Sequence, residues 1–96
     1  MADVLSEGEI GTRLGGLDWK REGEHIVKDW QFKDFAEAIA FVNRVAAAAE
    51  DANHHPDIIV HGWNKVRLSL TNHSAGGLTA VDFEMATKFD ELGGPE

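Results

Sequence analysis

The chain has no cysteine, which excludes disulfides, thiolate chemistry and sulfur-ligated zinc or iron–sulfur centres. It is also poor in positive charge: nine lysines and arginines stand against seventeen acids, a formal net charge of −8. Nucleic-acid binding draws on basic side chains that neutralise phosphates, and docking on anionic lipid needs a basic cluster. Neither partner is expected. No apolar run approaches the ~18 residues that a membrane-spanning helix requires. The opening MADVLSEGEI carries acids where an export signal carries basic and then apolar residues, so a cytoplasmic protein without a leader is expected. There is no repeat, low-complexity block or internal linker. What is present, at 96 residues, is the length of one domain (1–96) with a single modest core.

Three helix starts share one signature, a Ser, Thr or Asp with an acid three residues on: Ser6 with Glu9, Asp34 with Glu37, and Thr79 with Asp82. The first helix is expected over Glu7 to Leu14, stopped by Gly15-Gly16, where glycine tolerates a left-handed cap. Residues 17–33 are strand-like, with Glu22-Gly23-Glu24 as the turn of a hairpin. The segment DFAEAIAFVNRVAAAAEDANH is the strongest helix. Phe35, Ile39, Val42, Ala46 and Ala49 follow 3.6-residue spacing, and Phe41, Val45 and Ala48 add a second apolar strip. An arc this wide implies two buried faces, the second against another subunit.

Pro56 ends that helical region. Asp57 to Trp63 and Lys65 to Asn72 form a second hairpin, in which Val66, Leu68 and Leu70 alternate with polar residues as in a sheet buried on one face. A last helix is expected from about Thr79 to Leu92, with Val81, Met85, Phe89 and Leu92 facing the core. The tail Gly93-Gly94-Pro95-Glu96 is expected to fray. The order α-β-β-α-β-β-α fits a two-layer α+β fold, a four-stranded antiparallel sheet with three helices on one face.

Four of the five histidines, His54, His55, His61 and His73, lie within twenty residues. His25 stands apart and reads as a surface residue of the first hairpin. Imidazole gives and takes protons near neutrality, so several bordering one hairpin can supply an acid and a base to one small molecule. The bland alternative is that His54 and His55 decorate a helix end, where imidazolium suits the dipole. No His spacing typical of a metal site occurs. Ser69 and Ser74 lack a strained nucleophile elbow, and Gly76-Gly77 lacks the residues of a phosphate loop.

The run Glu50-Asp51-Ala52-Asn53-His54-His55-Pro56, then Trp63-Asn64-Lys65-Val66, His73 and Asp82, resembles the pterin-4a-carbinolamine dehydratases. That family's motif is an acid, three residues, His-His-Pro, an aromatic, a later His and an Asp, and all occur here in order. The stretch Asn72-His73-Ser74-Ala75-Gly76-Gly77-Leu78-Thr79 is similar to the family's link into its last helix. The resemblance spans roughly Trp19 to Leu92. It implies removal of water from 4a-hydroxytetrahydrobiopterin to give the quinonoid dihydropterin, recycled for aromatic amino-acid hydroxylases. It implies no cofactor, the tetrahydropterin being the substrate, and no metal. It also implies a homodimer or homotetramer with the helix at 34–53 in subunit contacts.

Carried over by position, His54, His55 and His73 are the acid/base and binding set, with roles not divided among them. Glu50 and Asp82 would hold the rings in one tautomer. Trp63 would wall the flat pterin, the rings converging on one pocket. Asp82 has a second reading as the partner of Thr79 in a capping box, Glu50 as a solvated helix-end acid, and Trp63 as core. Six residues separate Pro56 from Trp63 where some members have five, so a bulge at Gly62 is expected to keep the ring on its face. His61 has no counterpart in the motif and is expected on a strand surface. The competing function is a non-enzymatic interaction or assembly module on the same fold.

Overall fold

In the computed structural model, which describes residues 3–93, the chain runs α1 (Glu7–Leu14), β1 (Lys20–Glu22), β2 (His25–Gln31), α2 (Phe35–Ala52), β3 (Asp57–His61), β4 (Lys65–Leu70) and α3 (Ala80–Gly93). The strands form one antiparallel sheet in the order β1-β2-β4-β3. This is the expected element order and fold class.

Alternation along the strands decides which face the helices cover. Val66, Leu68 and Leu70 of β4 are fully buried, and they pair in register with Trp30, Lys28 and Ile26 of β2. Ile58 and Val60 of β3 continue the same face. Against it pack Ile10 of α1, Phe41 and Val45 of α2, and Phe83, Met85 and Phe89 of α3. The other face is polar, with Arg67 making a two-pronged pair to Asp29 at 2.9 and 3.0 Å on the neighbouring strand.

The helix starts are built as their residues dictate. Ser6 and Glu9 close a reciprocal box, Ser6 Oγ accepting from the Glu9 amide at 3.2 Å and Glu9 accepting from the Ser6 amide at 3.0 Å. Asp34 accepts from the Glu37 amide at 2.8 Å, while Glu37 turns instead to Lys33. At α3 the acid does the work, Asp82 Oδ2 taking the Thr79 amide at 2.8 Å.

Three expectations are corrected. In α2 the strip of Phe41 and Val45, with Ala38 and Ala49, faces the core, whereas Phe35 is exposed and Ile39 and Val42 are half-buried. The reason is aromatic packing: the Phe41 ring sits 4.9 Å from Trp30 and 5.1 Å from Phe32 between centroids, which fixes the rotation of the helix. There is no bulge at Gly62. β3 and β4 pair without interruption to His61–Lys65, and the added length is taken up by the loop Gly62-Trp63-Asn64, where Gly62 and Trp63 have φ of 55° and 58°. Finally, Gly93 belongs to α3 instead of fraying. A Cβ there would lie 2.6 Å from Trp30 Nε1, so only glycine lets the helix end pass the indole. The rest of the expected tail, Gly94 to Glu96, lies outside the described residues.

Candidate active site

The site begins at the end of α2. Asn53 adopts the left-handed conformation, φ 52° and ψ 42°. The His54 amide then reaches back to Ala49 O at 3.1 Å and the Asn53 amide to Glu50 O at 3.2 Å. This pair of bonds is a Schellman cap, with asparagine in the place more often held by glycine. It turns the chain out of the helix at the two histidines. Pro56 then confines His55 to an extended conformation, so consecutive side chains leave the backbone on opposite sides.

The two imidazoles therefore meet different carboxylates. His54 points inward, its side chain only 12% exposed, and its Nε2 lies 2.6 Å from Oδ1 of Asp82, which is fully buried. Asp82 Oδ2 takes the Thr79 amide and, at 3.4 Å, the Thr79 hydroxyl. Asp82 is thus both helix cap and imidazole partner. His55 points outward and pairs its Nε2 with Oε2 of Glu50, one turn back at the end of α2; both side chains are more than half exposed. A carboxylate only accepts hydrogen bonds, so each places the hydrogen on Nε2 and leaves Nδ1 as the acceptor nitrogen of the neutral ring. Neutral, that Nδ1 is a base; protonated, it is an acid.

His73 arrives from the other side of the hairpin. It is exposed, in the loop after β4, where Asn72 holds the Gly76 amide at 2.9 Å through its carbonyl and the Ala75 amide at 3.0 Å through its side chain. Strand pairing locates this loop relative to the other histidines. Asp57, two residues beyond His55, pairs with Ser69, four residues before His73. The segments that carry His54, His55 and His73 thus leave the sheet at the same end, with Asp82 held against His54.

Residue His25 joins them, which the sequence reading missed. It is half-buried at the start of β2, its Nδ1 is 2.9 Å from Ser69 Oγ, and its ring centroid is 6.3 Å from that of His73. The signal was register alone: once β2 pairs with β4 as Ile26–Leu70, His25 must stand beside Thr71, next to the His73 loop.

Trp63 is not brought to this end. It stands at the tip of the β3–β4 hairpin, 62% exposed. The five residues of β3, at ~3.3 Å per step, separate it from the histidines by well over ~10 Å. A wall beside His54 in the same chain is therefore not a role this fold gives it. His61 is exposed at the end of β3, as expected. Among the described residues, the two hollows found lie away from the expected shared pocket. One of about 270 Å³ crosses the polar sheet face between Lys20, Val27 and Arg67, and another flanks α1 near Thr12. His55 and His73 are exposed at this end, whereas His54 is largely covered. Among the described residues no three His, Asp or Glu side chains come together as a metal-binding group.

The family model for pterin 4 alpha carbinolamine dehydratase matches residues 3–92. The chain belongs to that dehydratase family. A protein of Roseiflexus sp. (strain RS-1), provisionally named a pterin-4-alpha-carbinolamine dehydratase, is 55% identical over 93 residues, covering 96% of this chain and 99% of that protein. One of Thermomicrobium roseum with the same provisional name is 53% identical over 89 residues, covering 92% and 95%. The crystal structure of a transcriptional coactivator/pterin dehydratase from Brucella melitensis superposes with a TM-score of 0.90 at 35% identity, over 96% of this chain and all of that one. A pterin dehydratase-like protein described as a RuBisCO assembly factor of the alpha-carboxysome superposes at 0.69 with 25% identity, over 83% and 94%.

Proposed function

We propose that this dehydratase-family chain removes water from 4a-hydroxytetrahydrobiopterin. In this step the C4a–O bond breaks and the N5–C4a bond becomes double. One imidazole takes the N5 proton and another protonates the departing oxygen, which leaves as water. The product is the quinonoid dihydropterin, the tetrahydropterin is the substrate, and no further cofactor takes part. His54, His55 and His73 are the proposed acid/base and binding set, and Asp82 and Glu50 orient His54 and His55. The observation that carries this reading is the pairing of each adjacent imidazole with its own carboxylate. Each pairing leaves Nδ1 as the nitrogen that would exchange a proton with the substrate. The reaction serves tetrahydrobiopterin recycling, and its proposed setting is the cytoplasm; among the described residues no helix is long and apolar enough to cross a membrane.

The decisive measurement is decay of the carbinolamine's ultraviolet absorbance at neutral pH. Wild-type protein should accelerate it, and His54→Ala, His55→Ala and His73→Ala should each lower the gain by on the order of 10²-fold. Decay no faster than in buffer would reject the proposal. We further propose a homodimer or homotetramer held through the outward strip of α2, where Phe35 is 53% exposed beside Ile39 and Val42. Val42→Glu should then sediment as a smaller species than wild type.

A second reading is favoured by the likeness to the alpha-carboxysome protein, which is described as an assembly factor. A non-enzymatic assembly module has no use for carboxylate-held imidazoles. A stoichiometric protein partner together with an inactive purified chain would favour it.

A further inference from the structure

His73 differs from the other two imidazoles of the site. His54 and His55 each bond a carboxylate, whereas among the described residues no side-chain hydrogen bond holds the ring of His73. It sits in an exposed loop, and what stands beside it is another ring. His25 meets it edge-on, centroids 6.3 Å apart and planes at 72°, within the range where aromatic rings attract in a T-shaped pair.

His25 is itself well fixed. Its Nδ1 lies 2.9 Å from Ser69 Oγ. Ser69 belongs to β4, with Val27 of β2 on one side and Asp57 of β3 on the other. A side chain held from inside a sheet is placed more firmly than one on a loop. Ser69 and His25 do not form a nucleophile and base, because Ser69 lies in a regular ladder with no strained turn to expose its hydroxyl.

We propose that His25 is a positioning residue of this site: pinned by Ser69, its ring is the surface against which the His73 ring is set. The order of support runs from central strand to hydroxyl, to the first imidazole, to the second. As a statement about catalysis this rests on the dehydratase reading; as a statement about ring placement it does not.

The test separates ring contact from hydrogen bonding. His25→Ala should lower kcat about tenfold, the scale of a misplaced reacting group, with KM changed less than about twofold. It should also move the His73 ring proton resonances in the NMR spectrum, because the neighbouring ring current is gone. His25→Phe keeps a ring at the same place and should recover most of kcat. His25→Asn keeps a partner for Ser69 but no ring, and should behave like the alanine variant. Ser69→Ala leaves the ring present but unpinned, and should lower kcat by a smaller factor while still moving the His73 resonances.

The proposal is overturned if His25→Ala leaves both kcat and the His73 resonances unchanged. It is equally overturned if His25→Asn is fully active while His25→Phe is as slow as His25→Ala. Should the wild-type chain prove inactive, the dehydratase reading fails on its own, and the resonances decide the positioning claim: shifted in His25→Ala they uphold it, unmoved they refute it.

Discussion

Replacing Asp82 by Asn tests the inner half of the site most sharply. Asp82 is fully buried, and its two oxygens serve different donors: Oδ1 takes His54 at 2.6 Å and Oδ2 takes the Thr79 amide at 2.8 Å. Asparagine has nearly the same shape but only one acceptor, the other group being an NH2 donor. If its oxygen stays on the Thr79 amide, its NH2 faces His54 Nε2. That nitrogen must then accept, and the ring hydrogen moves to Nδ1, the atom proposed to exchange a proton with the substrate. If the side chain turns the other way, donor faces donor at Thr79. Either way one charge-assisted bond is lost from a buried place, roughly 2 kcal/mol. In a domain of this size that lowers Tm by on the order of 8–16 °C. The rate should fall about 10²-fold or more, the usual worth of one acid/base group. Asp82→Ala removes both acceptors and the helix cap, adding about 1 kcal/mol of lost stability. Circular-dichroism melts give the first quantity and absorbance decay of the carbinolamine the second. An Asp82→Asn protein that melts within about 2 °C of wild type and turns over at the wild-type rate would refute this account of the carboxylate.

The outer half should respond differently. Glu50→Gln leaves the melting point nearly unchanged, since exposed pairs contribute about 0–1 kcal/mol, while the dehydration rate falls; an unchanged rate would show Glu50 to be an ordinary helix-end acid. Trp63→Gly should leave the rate within about twofold, and the φ of 58° at that position becomes unstrained; a large loss of rate would return Trp63 to the site. Arg67 holds the Asp29 carboxyl below the ordinary range, chiefly by hydrogen bonding. With the folded value lowered, the pair's stabilisation is full above about pH 4 and fades as pH falls below it. Arg67→Met should therefore raise the midpoint of acid unfolding, and an unmoved midpoint would contradict that linkage.

Most of the architecture was legible because its signals are local. The Ser6–Glu9 box, the stop after Leu14, the Val66-Leu68-Leu70 alternation and Pro56 each act over a few residues, and the fold obeys all of them, although Gly15 caps α1 in the right-handed and not the left-handed conformation. What escaped the sequence depends on contacts between distant elements. Both apolar strips of α2 were visible, but their division between core and exterior is set by Trp30 and Phe32 closing on Phe41. The added residue before Trp63 suggests a bulge in the sequence, but hairpin length and strand length trade off invisibly in one dimension, and the loop takes it up. In the site, His54, His55 and Asp82 were legible from the motif, and the capping contact of Asp82 from its spacing to Thr79. His25 was not, because 44 residues separate it from Ser69 and only the β2–β4 register unites them.

The left-handed Asn53 and the ring of Pro56 bracket His54 and His55 from either side. Which imidazole turns to the interior and which to solvent is consequently a matter of residue count. Inserting one residue between Asn53 and His54 would exchange the two destinations, stranding Asp82 without its ring and offering Glu50 the wrong one. The spacing of two residues between Asn53 and Pro56 therefore sets the fate of both rings, as the pitch of a gear sets which teeth meet.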